Sequence, residues 1–156
     1  MKRWLLYLII IVAISLLGIS PFQRTDIAQL APVEVVWLSW EKGRLCLQTD
    51  TQDVGYGEDV QSALENMKQT TAGTIFLETA DYLIIEQGQE QFLEQVYPVL
   101  RPSCMVCVAE RMPKMDTVVK FLRNHEPKTT LRQLRNGEGT VKHLIEMEGR
   151  FSWREE

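Results

Sequence analysis

The sequence predicts an α/β (α+β) domain, a mixed sheet with a hairpin and covering helices, preceded by one N-terminal transmembrane helix. Three observations predict it. A basic pair, Lys2 and Arg3, precedes an uncharged run from Trp4 to Gln23. Two stretches rich in β-formers flank a short glycine-containing link. Beyond them, short apolar runs alternate with stretches of helical periodicity, the pattern of a sheet covered by helices.

The heart of the first run is Leu5 to Ile19, at the border between a signal peptide's apolar region and a span of roughly 17–25 residues. The basic pair should stay cytoplasmic and place the rest outside. Gly18 and Ser20 make a poor cleavage site because Pro21 would become the first residue, so the reading favours an uncleaved anchor over 1–22. The expected organisation is then an extracytoplasmic domain over 23–148 and a flexible tail over 149–156. Localisation is the cell membrane, single-pass, with the bulk of the chain outside.

Residues 20–32 read as a connector with a short helix capped by Thr25 or Asp26. Val33 to Trp40 and Leu45 to Thr49 form a hairpin around Glu41-Lys42-Gly43-Arg44. Residues 50–57, polar with two glycines, read as a loop. Val60, Ala63, Leu64 and Met67 mark one helix face, ended by Ala72-Gly73. Tyr82 to Ile85 is a buried strand. Phe92, Leu93, Val96, Tyr97 and Leu100 mark a second helix, closed by Pro98 and Pro102. Ser103 to Ala109 is again strand-like. Met115, Val118, Val119 and Leu122 predict a helix, and Leu131 with Leu134 another turn or two. Val141, Leu144 and Ile145 predict a last helix behind Gly137-Glu138-Gly139, and the tail from Gly149 should fray.

The 156 residues are 45% apolar and 24% charged, enough for one domain with a core. Net charge is −4; Lys2 and Arg3 supply +2, so the rest carries −6. An acidic domain repels polyanions, which argues against nucleic-acid binding. The three cysteines, Cys46, Cys104 and Cys107, make no disulfide framework.

Candidate chemistry is sparse. Cys104-Met105-Val106-Cys107 has C-x-x-C spacing, but a redox pair needs its first thiol at a helix N-terminus. Three apart on a strand, the two cysteines should face opposite ways and serve as core. His125 sits in a polar loop and His143 on the expected last helix, without the clustered ligands a zinc site needs. Gly55-Tyr56-Gly57 and Gly137-Glu138-Gly139 lack the third glycine or lysine of a phosphate loop and read as turn or cap glycines. No catalytic residue, cofactor or metal site is expected. Trp37 and Trp40, three apart on a strand, should face opposite ways, one in the core and the other at an interface or near the membrane surface, with a core role for both as the alternative. With Tyr56 in the polar loop they are the candidate interaction residues.

Leu16-Leu17-Gly18-Ile19, Arg24-Thr25-Asp26-Ile27 and Leu30-Ala31-Pro32-Val33 resemble the start of the Ger(x)C family, the C subunits of spore germinant receptors. In that family a glycine and a helix of the form G-x-x-[IVL]-x-x-A follow a hairpin; here they stand as Gly57 to Ala63. Phe76-Leu77-Glu78 through Glu86, then Arg101, Val106 to Ala109 and the helix through Val118-Val119, fit the family order. The resemblance covers about 16–139, the family's first domain only. Two positions depart from it. Ile19 stands where the family has its lipobox cysteine, so anchoring would rest on the apolar helix, and Thr79 stands where the family tends to have a histidine. The resemblance implies the spore inner membrane and germinant-receptor-type membrane subunits as partners. The expected function is a non-enzymatic, membrane-anchored component of a membrane complex. The alternatives are an extracytoplasmic thiol oxidoreductase using Cys104 and Cys107, and a small-ligand-binding domain.

Overall fold

The computed structural model describes Trp4, Tyr7 and residues 30–154. The expected anchor over 1–22 and the connector helix capped by Thr25 or Asp26 otherwise lie outside the described residues. Among the described residues no helix is long and apolar enough to cross a membrane.

The chain first forms β1 (Leu30–Pro32), where a connector was expected. A hairpin of β2 (Val35–Glu41) and β3 (Arg44–Thr49) comes next. It closes at Lys42 and Gly43, with φ of 52° and 78°. Both positive angles suit the two-residue turn whose twist matches the strands. Then come β4 (Val54–Gly57), α1 (Val60–Thr70) and β5 (Thr74–Phe76). β6 (Tyr82–Glu86), the one-turn α2 (Leu93–Val96) and β7 (Met105–Ala109) build the centre. α3 (Met115–Asn124), α4 (Leu131–Arg135), β8 (Lys142–Met147) and β9 (Arg150–Trp153) complete the fold.

The main sheet has seven strands in the order β4-β3-β2-β6-β7-β8-β9. β2, β6, β7 and β8 run parallel, and an antiparallel arm closes each side. β1 and β5 form a separate parallel pair. Strands buried on both faces read as continuous apolar runs, which is why β2, β6 and β7 stand out in the sequence. Val36, Leu38, Leu83, Ile85, Val106 and Val108 meet α1, α2 and α4 on one face. Val35, Trp37, Ile84, Cys107 and Leu144 meet Val118 and Leu122 of α3 on the other.

Four expectations are corrected. The expected 50–57 loop contains β4. Gly55 and Gly57 hide it, because glycine weakens the strand signal, yet both are required by packing. A Cβ on Gly55 would lie 2.1 Å from the Ala63 carbonyl oxygen, and one on Gly57 2.3 Å from the Ala63 nitrogen. The family-like stretch Gly57 to Ala63 is therefore a tight strand-to-helix return that only small residues permit. Asp59 caps it, accepting from the Ser62 amide at 2.7 Å while the Ser62 hydroxyl accepts from the Asp59 amide at 3.1 Å.

The expected last helix at 141–145 is β8, so His143 is a strand residue. The tail from Gly149 is a second turn and β9, not a frayed end. Glu148 and Gly149 take φ of 51° and 75°, the same turn geometry as Lys42 and Gly43. The sheet thus runs through Trp153, past the boundary expected at 148.

Candidate functional site

The parallel strands give the domain two ends. The described chain enters β2 at Val33 and Glu34, at their amino end. There Thr79 Oγ1 accepts from the Val33 amide at 3.1 Å, at the position where a histidine was expected from the resemblance. Arg101 Nε donates to the Ala80 carbonyl at 3.0 Å and its guanidinium pairs with Asp81. Arg123 on α3 makes a forked pair with Glu34. These contacts tie the amino end together.

The carboxyl end is different. Between 30 and 154 five large apolar side chains are exposed: Trp40, Tyr56, Phe76, Met112 and Met147. Four of them lie toward the carboxyl end. Trp40 is the penultimate residue of β2, Met112 comes after β7, and Met147 ends β8. Tyr56 pairs with Cys46, which pairs with Ser39, so it stands one residue back from Trp40. Met147 is 63% exposed and Trp40 40%. Trp40 stacks on Phe92, with ring centroids 5.7 Å apart, and its amide donates to Glu86 at 2.9 Å. Its ring is therefore held in place while still meeting solvent, a favourable state for an anchor residue.

The tryptophans separate as strand parity predicts. Trp37 is 1% exposed and packs under α3, so it is a core residue and cannot contact a partner. Its indole nitrogen has no hydrogen-bond partner among the described residues. Tyr56, on β4 rather than a loop, lies on the sheet face opposite Trp40. Its phenol is shifted upward, chiefly by the Cys46 thiol beneath it. The three candidates thus form no single patch. Met112 and Met147 were missed because their placement at the same end of the sheet as Trp40 depends on strand order.

Cys104 belongs to the core on one face of the sheet and Cys107 to the core on the other. Burial pushes the Cys104 thiol up to about 12 and Cys107 further still. Such thiols hold little thiolate near neutrality and do not share a site. His125 stacks on Phe121 with centroids 4.8 Å apart, and His143 pairs in register with Val108. No cluster of potential metal ligands occurs among the described residues.

Two adjoining grooves lie between α2 and α4. The larger, about 510 Å³, is lined by Glu94, Tyr97, Pro98, Leu134 and Arg135. The smaller, about 210 Å³, shares Tyr97 and Arg135 and adds Arg132 and Asn136. The Arg135 guanidinium lies over the Tyr97 ring at 5.8 Å. Both grooves are open and shallow, unlike the enclosed clefts that bury most of a small ligand.

The two sheet edges differ. Along β4 the outward Tyr56 amide donates to Asn66 Oδ1 of α1 at 3.0 Å, so the helix covers this edge. At the other edge, Arg154 N donates to His143 O at 2.9 Å. By antiparallel alternation the Phe151 and Trp153 amides then point away from β8. No partner meets them among the described residues. Phe151 and Trp153 pack on Phe121, with centroids 5.8 and 5.6 Å away.

Comparison with protein-family models, with curated proteins and with solved structures returns no match to this chain.

Proposed function

We propose that the chain is a membrane-tethered, non-enzymatic component of a membrane complex, with its α/β domain outside the cytoplasm. One observation carries this reading: the exposed apolar residues Trp40, Met112 and Met147 lie at the end of the sheet opposite the one where the described chain enters. A domain held at its amino end would present that rim away from the membrane. Aromatic and methionine side chains are enriched at protein interfaces. The uncharged run Trp4 to Gln23 behind Lys2 and Arg3 supports the tether.

The link to spore germination rests on the resemblance to germinant-receptor C subunits over 16–139. Its strongest element is the Gly57 to Ala63 return, where the motif has a steric reason. A thiol oxidoreductase gains no support from Cys104 and Cys107 on opposite faces. A ligand-binding domain is favoured only by the Tyr97–Arg135 groove.

The reading is tested with the full chain in its native membrane. The protein should stay in the pellet after alkaline carbonate extraction. A photo-reactive residue in place of Met147 should cross-link to another membrane protein. Release by carbonate would remove the tether, and absence of cross-links at good expression would remove the interaction role.

A further inference from the structure

We propose that the outer edge of β9 is a strand-addition site for an extended partner segment in which acidic residues alternate with apolar ones. This rests on the reading of the chain as an interaction module, and it names one surface and its partner's chemistry.

Three observations converge on β9. The first is a backbone edge that no described residue pairs with. Phe151 and Trp153 direct their amides and carbonyls away from β8, and an added strand satisfies such groups by main-chain hydrogen bonds. The opposite edge of the same sheet is already closed by Asn66. The second is an aromatic cluster beside the edge. Phe121, Phe151 and Trp153 pack together and are each only half-buried. The third is charge. Arg150 and Arg154 lie on β9 and its extension, on the same face of the strand, and no acidic residue stands between them. Arg154 already pairs with Glu110, so Arg150 is the more available cation.

The pleat then dictates the partner's pattern. Side chains opposite each other on neighbouring strands share a face. Partner residues opposite Arg150 and Arg154 meet cations and are best acidic. Those opposite Phe151 and Trp153 extend the aromatic cluster and are best apolar. A second copy of this chain fits less well, because antiparallel self-pairing about Ser152 sets Arg150 against Arg154. Met147, in the same hairpin, joins this edge to the exposed rim.

The test uses isotopically labelled full chain in lipid nanodiscs and a short capped peptide of alternating glutamate and valine. Saturable shifts should appear at the Phe151 and Trp153 amides, and their hydrogen exchange should slow by about tenfold or more. A lysine–valine peptide and a version N-methylated on its edge-facing amides should produce neither effect. Arg150→Glu should weaken binding about fivefold by replacing attraction with repulsion. No saturable shift at these amides, equal binding of the N-methylated peptide, or a dimer with β9 protected would each overturn the proposal. The peptide is also added to a pull-down from membranes. Membrane partners that are recovered and not displaced, without peptide shifts, would sink the edge site and leave the module reading standing. Peptide binding with no membrane partner recovered would do the reverse.

Discussion

The two hairpins at the flanks of the parallel strands close in the same way and end differently. Glu41-Lys42-Gly43-Arg44 and Met147-Glu148-Gly149-Arg150 share the same turn chemistry, with both central residues at positive φ in each. The first hairpin continues into β4, which α1 locks down. The second ends in β9, whose outer backbone meets no partner among the described residues. The difference shows that the turn does not close an edge. The chain beyond the turn does: in the first arm two glycines let a helix fold back over the edge strand.

The comparison breaks most readily at Gly55. Gly55→Val would drive a side chain into the Ala63 carbonyl and the Met67 Cβ, both within 2.6 Å of an added Cβ. Overpacking against backbone costs about 3 kcal/mol or more, and urea denaturation of the full chain should show that loss. An equal change at Gly149, where a Cβ meets nothing within 4 Å, strains only the backbone and costs less.

Alkali offers a second way to load the two sides unequally. Cys46 lies in the first hairpin and Cys104 and Cys107 around the central β7, while the second hairpin has no thiol. Burial raises all three thiols above their ordinary value of 9.0. Above that value the unfolded chain loses protons that the folded chain keeps, so stability falls as pH rises. The slope is about 1.4 kcal/mol per pH unit for each thiol until its folded value is reached. Urea midpoints measured from pH 8 upward should bend downward above about 9, and Cys107→Val should flatten the bend. A midpoint that stays level would mean the thiols are open to water.

Phe121→Ala sharpens the contrast at the second hairpin. It removes the ring that Phe151 and Trp153 pack on, and for a half-buried ring the loss should be about 2 kcal/mol. Hydrogen exchange should speed in β9 before β2. The smallest effect is expected at Asn66→Ala, which uncovers the Tyr56 amide. Water can replace the lost bond at this exposed site, so stability should drop by about 0.5 kcal/mol. Exchange at Tyr56 should then approach that at Phe151, making the two edges alike.

Much of the sheet was legible from residues. β2, β6 and β7 are buried on both faces and carry unbroken apolar runs, and the helix faces at Val60–Met67 and Met115–Leu122 repeat at three and four. β4 was hidden because the contact with α1 demands glycine where a strand would show β-formers. β8 was misread because Val141, Leu144 and Ile145 also fit a helix face, and only Leu144 among its residues is fully buried. The better signal was the Glu148-Gly149 turn with the alternation Arg150, Phe151, Ser152, Trp153 after it. Of the candidate surface, strand parity exposed one tryptophan and buried the other. The placement of Trp40, Met112 and Met147 toward one end comes from strand order, which local patterning does not carry.

The most direct test of the membrane-complex account is affinity purification of the tagged full chain from detergent-solubilised membranes of sporulating cells, with mass spectrometry as the readout. Trp40→Glu with Met147→Glu serves as the comparison. The account predicts that germinant-receptor-type membrane subunits come down with the wild type in near-stoichiometric yield and fall away with the variant. Wild-type protein recovered alone at good yield, or partners held equally by both forms, would contradict it.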